Sequence, residues 1–409
     1  MQKENLSIII TGHIDHGKST LIGRLLLDTD SLPKEKLAEI KKISASLGKD
    51  TELAFLADQL KEEREQGMTI DTTQIFFKTR KRNYIIIDSP GHAKFIKNMI
   101  TGASQANAGV LLVDVAEGLK EQTRRHAYIL GMLGIDKLIV VFNKMDLINY
   151  EEKKFNEVKN ELLKFLEGIG IRPYYSVPIS AKEDINISKR SSANMPWYRG
   201  PCLINALDGL KPDIRIERKP LRFSIQDNYE IEGKMVTVGK VLSGTIKQGQ
   251  EVILLPSLKN TRINSIKVFG RHIKETRAGK NIGLILDDPA LAKRGEVIVQ
   301  KEDTAKPTTQ FKANIFWMSD EPLKINQSFS LRCANQDTSC IIEKIEKRID
   351  SSTLEIIEED ARELKMNETA VVIIRAEHPL VIEKFSFVED LGRFTLEKNS
   401  IILGMGIII

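Results

Sequence analysis

The segment Gly12-His13-Ile14-Asp15-His16-Gly17-Lys18-Ser19 follows a short β-branched run, SIIIT, and opens a stretch with helical periodicity. It fits the spacing G-x-x-x-x-G-K-[ST] in the strand-to-helix context that the spacing requires. The glycines let backbone amides turn toward phosphate oxygens, and the helix N-terminus adds partial positive charge. Lys18 is placed to neutralise the outer phosphates, Ser19 offers a hydroxyl to Mg2+, and Thr20 continues the cradle. A loop of this kind needs a parallel sheet behind it, with the ligand at the carboxyl ends of the strands.

The surrounding sequence supplies that sheet. YIIID at Tyr84 to Asp88, GVLLVDV at Gly109 to Val115, KLIVVFN at Lys137 to Asn143 and a run from Tyr175 to Ile179 are short apolar stretches, separated by longer helix-compatible segments. Near-continuous β-branched runs are what strands covered on both faces look like. We therefore expect an α/β nucleotide-binding domain, a doubly wound and mostly parallel sheet, over residues 1–212, with a helical insertion at 28–67. Beyond Lys211-Pro212-Asp213 the pattern turns to short alternating strands, among them LRFSI, MVTVGKVL, NIGLIL and GEVIV. Two all-β barrel domains are expected, at 213–303 and 304–409, with the apolar run Ile401 to Ile409 as a closing strand.

At 409 residues the chain is too long for one ordinary core, and 41% hydrophobic with 29% charged residues describes a globular protein, not a disordered one. The net charge of +5 permits an anionic partner without naming it, and the basic stretch Lys259 to Arg277 reads as solvated barrel loops. No apolar run approaches the ~20 residues of a membrane span, so no membrane partner is expected. Three cysteines, Cys202, Cys333 and Cys340, form no CxxC pair and fit a reducing, cytoplasmic setting; the last two read as strand filler.

Three further motifs stand at the ends of predicted strands. In Asp88-Ser89-Pro90-Gly91 the aspartate can hold Mg2+ through water, and the glycine amide can meet a γ-phosphate. In Asn143-Lys144-Met145-Asp146 the carboxylate can accept from both N1–H and the 2-amino group of guanine, a pair that adenine lacks. Ser180-Ala181-Lys182 would add a backbone amide to the guanine carbonyl. Together they specify GTP and GDP as the nucleotides. His13 and His16 lack a third metal ligand nearby and read as filler within the phosphate loop.

GHIDHGKST, REQGMTID, DSPGH, NKMD and SAK stand in one order, followed by barrel patterns, and in this the chain resembles the translational-type GTPases. The resemblance implies that Thr69 of the first switch binds Mg2+ and γ-phosphate beside Ser19 and Asp88. It also implies that His92, directly after Gly91, orients the attacking water, with Ile14 and Met68 as an apolar gate. Within the family, four features look like the GTPase subunit of heterodimeric ATP sulfurylase: the helical insertion, Gln122 to His126, Asn194 to Pro201, and Ile315 to Met318 with Glu321 to Leu323. That likeness implies a small ATP-binding adenylyltransferase subunit as partner, with GTP hydrolysis coupled to adenylyl sulfate synthesis. A second likeness, through Phe95 to Gly102, Leu391 to Phe394 and the spelling of the phosphate loop, is to elongation factors of the one-alpha or Tu type. Their partners are aminoacyl-tRNA and the ribosome. No second phosphate loop follows the last barrel, so a fused kinase domain is not expected.

Overall fold

The structure, a computed structural model, describes residues 5–32, 74–88, 106–210, 214–268, 271–288, 290, 292–303 and 305–409. The chain divides into two compact units. One comprises Met1–Lys211 with Ser351–Leu354, the other Pro212–Asp350 with Glu355–Ile409.

The first unit is built on a six-stranded sheet of β1 (Asn5–Gly12), β2 (Gln74–Lys78), β3 (Asn83–Asp88), β4 (Ala108–Asp114), β5 (Leu138–Asn143) and β6 (Tyr175–Pro178). Their order is β2-β3-β1-β4-β5-β6. All neighbours are parallel except the β2–β3 pair, so the expected mostly parallel sheet is present with one antiparallel edge. Every residue of β4 and β5 is buried, which is why these strands read as unbroken apolar runs.

Helices flank the sheet: α1 (Lys18–Asp28), α2 (Glu121–Met132), α3 (Glu152–Gly168) and the short α4 (Leu203–Asp208). In α1 the buried Leu21, Ile22, Leu25 and Leu26 fall at three- and four-residue spacing, as do Phe155, Val158, Leu162, Phe165 and Leu166 in α3. Burial of these stripes holds the helices to the sheet; each fully buried Leu or Phe contributes roughly 1.5 to 3 kcal/mol.

The second unit holds two antiparallel barrels. Around the first run Glu251–Leu255, Val297–Gln300, Arg222–Ile231, Lys234–Ser243, Asn281–Leu286 and Lys259–Val268, which pairs back to Glu251–Leu255. Around the second run Ser328–Cys333, Arg393–Lys398, Ile401–Ile408, Thr308–Trp317, Glu368–Leu380 and Gln336–Asp350, which closes on Ser328–Cys333. The C-terminal apolar run is thus a barrel strand, as expected.

Closure removes the sheet edges, and each barrel has its own core, one around Phe223, Ile246 and Leu284, the other around Trp317, Phe329 and Phe394. A smaller cluster of Leu242, Leu255, Val297 and Val299 with Val381, Val388 and Leu391 joins the two. All three cysteines are free and buried. Cys333 and Cys340 face the second core, where burial pushes both thiols up to about 12.

Lys259–Val268, read from the sequence as part of a charged loop region, is a ten-residue strand with Ile263 and Ile266 inward. Its outward charges obscure the alternation.

Candidate nucleotide-binding site

Strand register brings the motifs to one edge of the α/β unit. Ile10 of β1 pairs with Asp88 of β3, Gly12 pairs with Leu112 of β4, and Asp114 of β4 pairs with Asn143 of β5. The phosphate loop therefore sits at the centre of a row of strand ends, where chain order reverses on either side of β1.

The loop geometry follows from its residues. Gly17, at φ 91°, takes the left-handed region that lets the chain turn into α1. Gly12 lies so close to β4 that a Cβ there would come within 2.5 Å of the Leu112 carbonyl. The first amide bonded within α1 is Leu21 N–H, to Gly17 O at 2.9 Å, so the amides ahead of it open at the helix N-terminus. Lys18 Nζ donates to Gly12 O at 2.9 Å and His13 O at 3.1 Å, which folds the ammonium back over the loop. Ser19 and Thr20 are half-buried in the first turn, and Ile14 and Asp15 face solvent.

His16 is not filler. It is fully buried, its Nδ1 lies 3.1 Å from Leu112 O and 3.3 Å from Asp114 N, and burial lowers its pKa. The ring ties the loop to β4, while His13 packs edge-on against it at 5.3 Å.

Behind the loop lies a residue that the sequence reading took only as part of a family marker. His126 of α2 is fully buried, 3.1 Å from Gln122 Nε2 through its own Nε2, and burial, aided by Lys18, pushes it down to about 3. It is a neutral imidazole at any physiological pH, packed as structure and not as an acid or base.

The base end is organised around Asn143. Its Nδ2 donates to His16 O at 2.9 Å and its Oδ1 accepts from Ala181 N–H at 3.0 Å, joining the phosphate loop to the Ser180–Lys182 loop. Lys144 is left-handed at φ 63° and its ammonium meets the buried Asp114 carboxylate at 2.7 Å. Asp114 also accepts from Ala116 N–H at 2.8 Å, so an acid invisible to motif reading positions the lysine. Met145 is buried and its amide donates to Ile179 O at 3.1 Å. This directs Asp146 outward, half-buried, with a carboxylate that makes no hydrogen bond or ion pair among the described residues. Ser180 is fully buried, and its Oγ accepts from Glu183 N–H at 3.1 Å.

Thr69, Ser89, Pro90, Gly91 and His92, with Met68 and the insertion at 28–67 beyond Leu32, lie outside the described residues; for Asp88 the strand position is described but not the side chain. Among the described residues no cluster of His, Cys, Asp or Glu is arranged to hold a metal on its own.

A phosphate-type loop at the switch point of a parallel sheet, with a carboxylate aimed outward beyond the base loop, defines the class of guanine-nucleotide-binding P-loop proteins. The profile for the elongation factor Tu GTP binding domain matches residues 3–247, that for elongation factor Tu domain 2 matches 235–299, and that for the GTP-eEF1A C-terminal domain matches 310–409. Elongation factor 1-alpha of Methanocorpusculum labreanum is 38% identical over 415 residues, covering 100% of this chain and 97% of the relative. That of Pyrococcus furiosus is 38% identical over 427 residues, with coverages of 100% and 98%. That of Archaeoglobus fulgidus is 37% identical over 418 residues, again with 100% and 98%. Among solved structures, sup35 complexed with GDP aligns over 100% of this chain and 94% of that chain at 24% identity, with a TM-score of 0.47. The chain belongs to the translational GTPase family of elongation factors Tu and 1-alpha.

These relatives overturn the sulfurylase-subunit expectation and, with it, the small adenylyltransferase partner. Among the described residues behind that expectation, several serve the fold. Gln122 pairs with His126 inside α2. Trp197 packs on Phe155 at 5.1 Å and donates to Tyr150 O at 3.0 Å, and Tyr198 Oη donates to Pro201 O at 2.8 Å. Trp317 is 1% exposed in the second barrel and donates to Glu321 O at 2.7 Å.

Proposed function

We propose that the chain is a translation elongation factor of the 1-alpha type, a GTPase that carries aminoacyl-tRNA to the ribosome in its triphosphate form and releases it after hydrolysis. One observation carries the reading: relatives so named match the entire chain at 37–38% identity and 97–98% of their own length, so nucleotide domain and both barrels are shared together. The cytoplasm is the compartment this function requires. Among the described residues no helix is long and apolar enough to cross a membrane.

In this reading Gly12 to Thr20 cradle the phosphates, Lys18 moves its ammonium from the loop carbonyls to the β and γ oxygens, and Asp146 reads N1–H and the 2-amino group of guanine. Ser19, half-buried in the first turn of α1 beside Lys18, is a hard oxygen donor of the type Mg2+ prefers. Thr69 and Asp88 would complete that set. Bound Mg2+ would draw off charge from the β and γ oxygens. His92 would orient the attacking water, and Ile14, exposed at 40%, would close over it with Met68. Thr69 would order the first switch only with the triphosphate, giving the two states a differential affinity for the RNA partner.

The test is protection of the aminoacyl ester. The protein with GTP and Mg2+ should slow spontaneous deacylation of aminoacyl-tRNA, and with GDP it should not. Tight GTP binding without protection would refute the delivery role and leave the nucleotide site standing.

A further inference from the structure

Arg24 stands on the second turn of α1, and its fork points at the loop that follows β6. Nε donates to Ala181 O at 3.3 Å and Nη2 to Lys182 O at 3.1 Å. Nη1 lies 3.8 Å from Asp28 Oδ1 and 3.9 Å from Asp184 Oδ2. The helix that begins at the phosphate loop is thereby tied to the base loop by a planar cation engaging two successive carbonyls, a geometry a lysine cannot reproduce.

The amides of that loop are mostly committed. Ala181 N–H donates to Asn143 Oδ1 at 3.0 Å, Glu183 N–H to Ser180 Oγ at 3.1 Å and Ile185 N–H to Ser180 O at 3.0 Å. Lys182 N–H has no partner among the described residues. It shares one peptide plane with Ala181 C=O, and in a trans peptide the carbonyl and the amide point in opposite directions. Fixing the carbonyl therefore fixes the aim of the amide, and donation from a cation polarises the same peptide and strengthens the amide as a donor.

We propose that Arg24 is a positioning residue for base recognition, holding the Ala181 carbonyl so that the Lys182 amide is presented to the 6-oxygen of guanine. The inference rests on the reading that residues 180–182 meet the base, and it adds a link from α1 that no motif contains. Asp146 and Arg24 then govern different edges of one ligand: the carboxylate reads the 2-amino group, and the guanidinium, acting through the peptide, secures the 6-oxo group.

Three diphosphates separate these roles. Inosine diphosphate keeps the 6-oxygen and lacks the 2-amino group. 6-Thioguanosine diphosphate keeps the amino group and replaces the oxygen with sulfur, a weaker acceptor. Dissociation constants are measured by titration for the wild type, Arg24→Ala and Arg24→Lys, the last retaining the charge opposite Asp28 and Asp184.

In both variants GDP should weaken about tenfold, a typical loss for a charge-assisted hydrogen bond. 6-Thioguanosine diphosphate should weaken less than about threefold. The ratio of GDP to thio-analogue affinity should fall while the ratio of GDP to inosine diphosphate stays as in the wild type. An equal loss for all three ligands would overturn the inference, because a merely structural role moves them together, and so would no loss at all. If the wild type itself failed to distinguish GDP from the thio-analogue, the base-loop reading would fall and the inference with it.

Discussion

Arg222 and Arg24 each meet two carboxylates, and they do so differently. In the barrel unit, Arg222 is 3% exposed and spends its fork on acids: Nη1 and Nη2 donate to Asp303 at 2.8 and 3.1 Å, Nε and Nη2 to Glu383 at 2.8 and 2.6 Å. In the α/β unit, Arg24 spends its fork on the carbonyls of Ala181 and Lys182, and Asp28 and Asp184 remain at 3.8 and 3.9 Å. The first arrangement ties the first barrel, the segment after it and the second barrel into one body. The second leaves charge incompletely matched in order to hold a binding loop. Residue composition alone does not distinguish them; what the donors touch does.

The largest effect should come from breaking the matched cluster. Arg222→Ala leaves Asp303, whose side chain is 3% exposed, and the half-buried Glu383 without a counter-charge, and breaking such a buried pair typically costs about 3 to 5 kcal/mol. Denaturant unfolding should show that loss, while the fraction still folded binds GDP as tightly as the wild type. A large drop in GDP affinity at unchanged stability would reverse the roles assigned to the two units.

On the nucleotide side, Asn143→Ala removes both the tie to His16 O and the acceptor for Ala181 N–H. Two hydrogen bonds at roughly 1 to 1.5 kcal/mol each predict a decrease in GDP affinity of about 30- to 150-fold. Stability should fall much less than for Arg222→Ala. Titration calorimetry showing less than a threefold change would remove Asn143 from its bridging position.

The two units also differ in what their sequences disclose. The nucleotide site is legible because phosphate and guanine chemistry demand particular residues at fixed spacing, so the loop after β1 and the aspartate after β5 declare themselves. Its supporting residues do not. Asp114 looks like the end of an apolar strand, Arg24 like one basic residue on an amphipathic helix, and His126 like a family marker, because each acts only through tertiary contacts. The edge strand β2 passed unnoticed at five residues. In the barrels only alternation speaks, and it is easily disturbed. Gln336–Asp350 carries register shifts between Ile342 and Lys344 and between Ile345 and Lys347, which spoil the period of two that would have revealed a 15-residue strand. The mistaken sulfurylase assignment has the same origin: Trp197 and Trp317 catch the eye as rare residues, and both are used in packing.

A smaller effect is expected where specificity is read without a change in packing. Asp146→Asn replaces one acceptor with a donor and should shift preference from guanine to xanthine diphosphate by roughly 1 to 3 kcal/mol. Competition binding with the two nucleotides measures it. Because Arg24 is assigned to the other edge of the base, the shift should have the same size in an Arg24→Lys background; strong non-additivity would merge the two roles that the base loop is here given.

The incomplete matching around Arg24 should finally be visible as pH dependence. Burial first, and then the neighbouring Asp184, push Asp28 up to about 6, and its Oδ2 has no hydrogen-bond partner. A carboxyl whose folded-state pKa lies above its unfolded value favours the native state when protonated, so its contribution is present at low pH and lost as pH rises through about 6. Asp28→Asn mimics the protonated form. Relative to the wild type it should gain stability progressively between about pH 4 and 6.5 and keep the gain above that, reaching about 1 to 2 kcal/mol, below the ceiling of about 3 set by 1.36 kcal/mol per pH unit. Below about pH 4, where the carboxyl is protonated in both folded and unfolded states, the two proteins should unfold alike. The Arg222 cluster, with both acids satisfied within hydrogen-bond distance, has no such penalty to relieve, and Asp303→Asn should lower stability across the same range. If Asp28→Asn were also destabilising at pH 7.5, the carboxylates around Arg24 would be as well matched as those around Arg222, and the contrast between the two arginines would disappear.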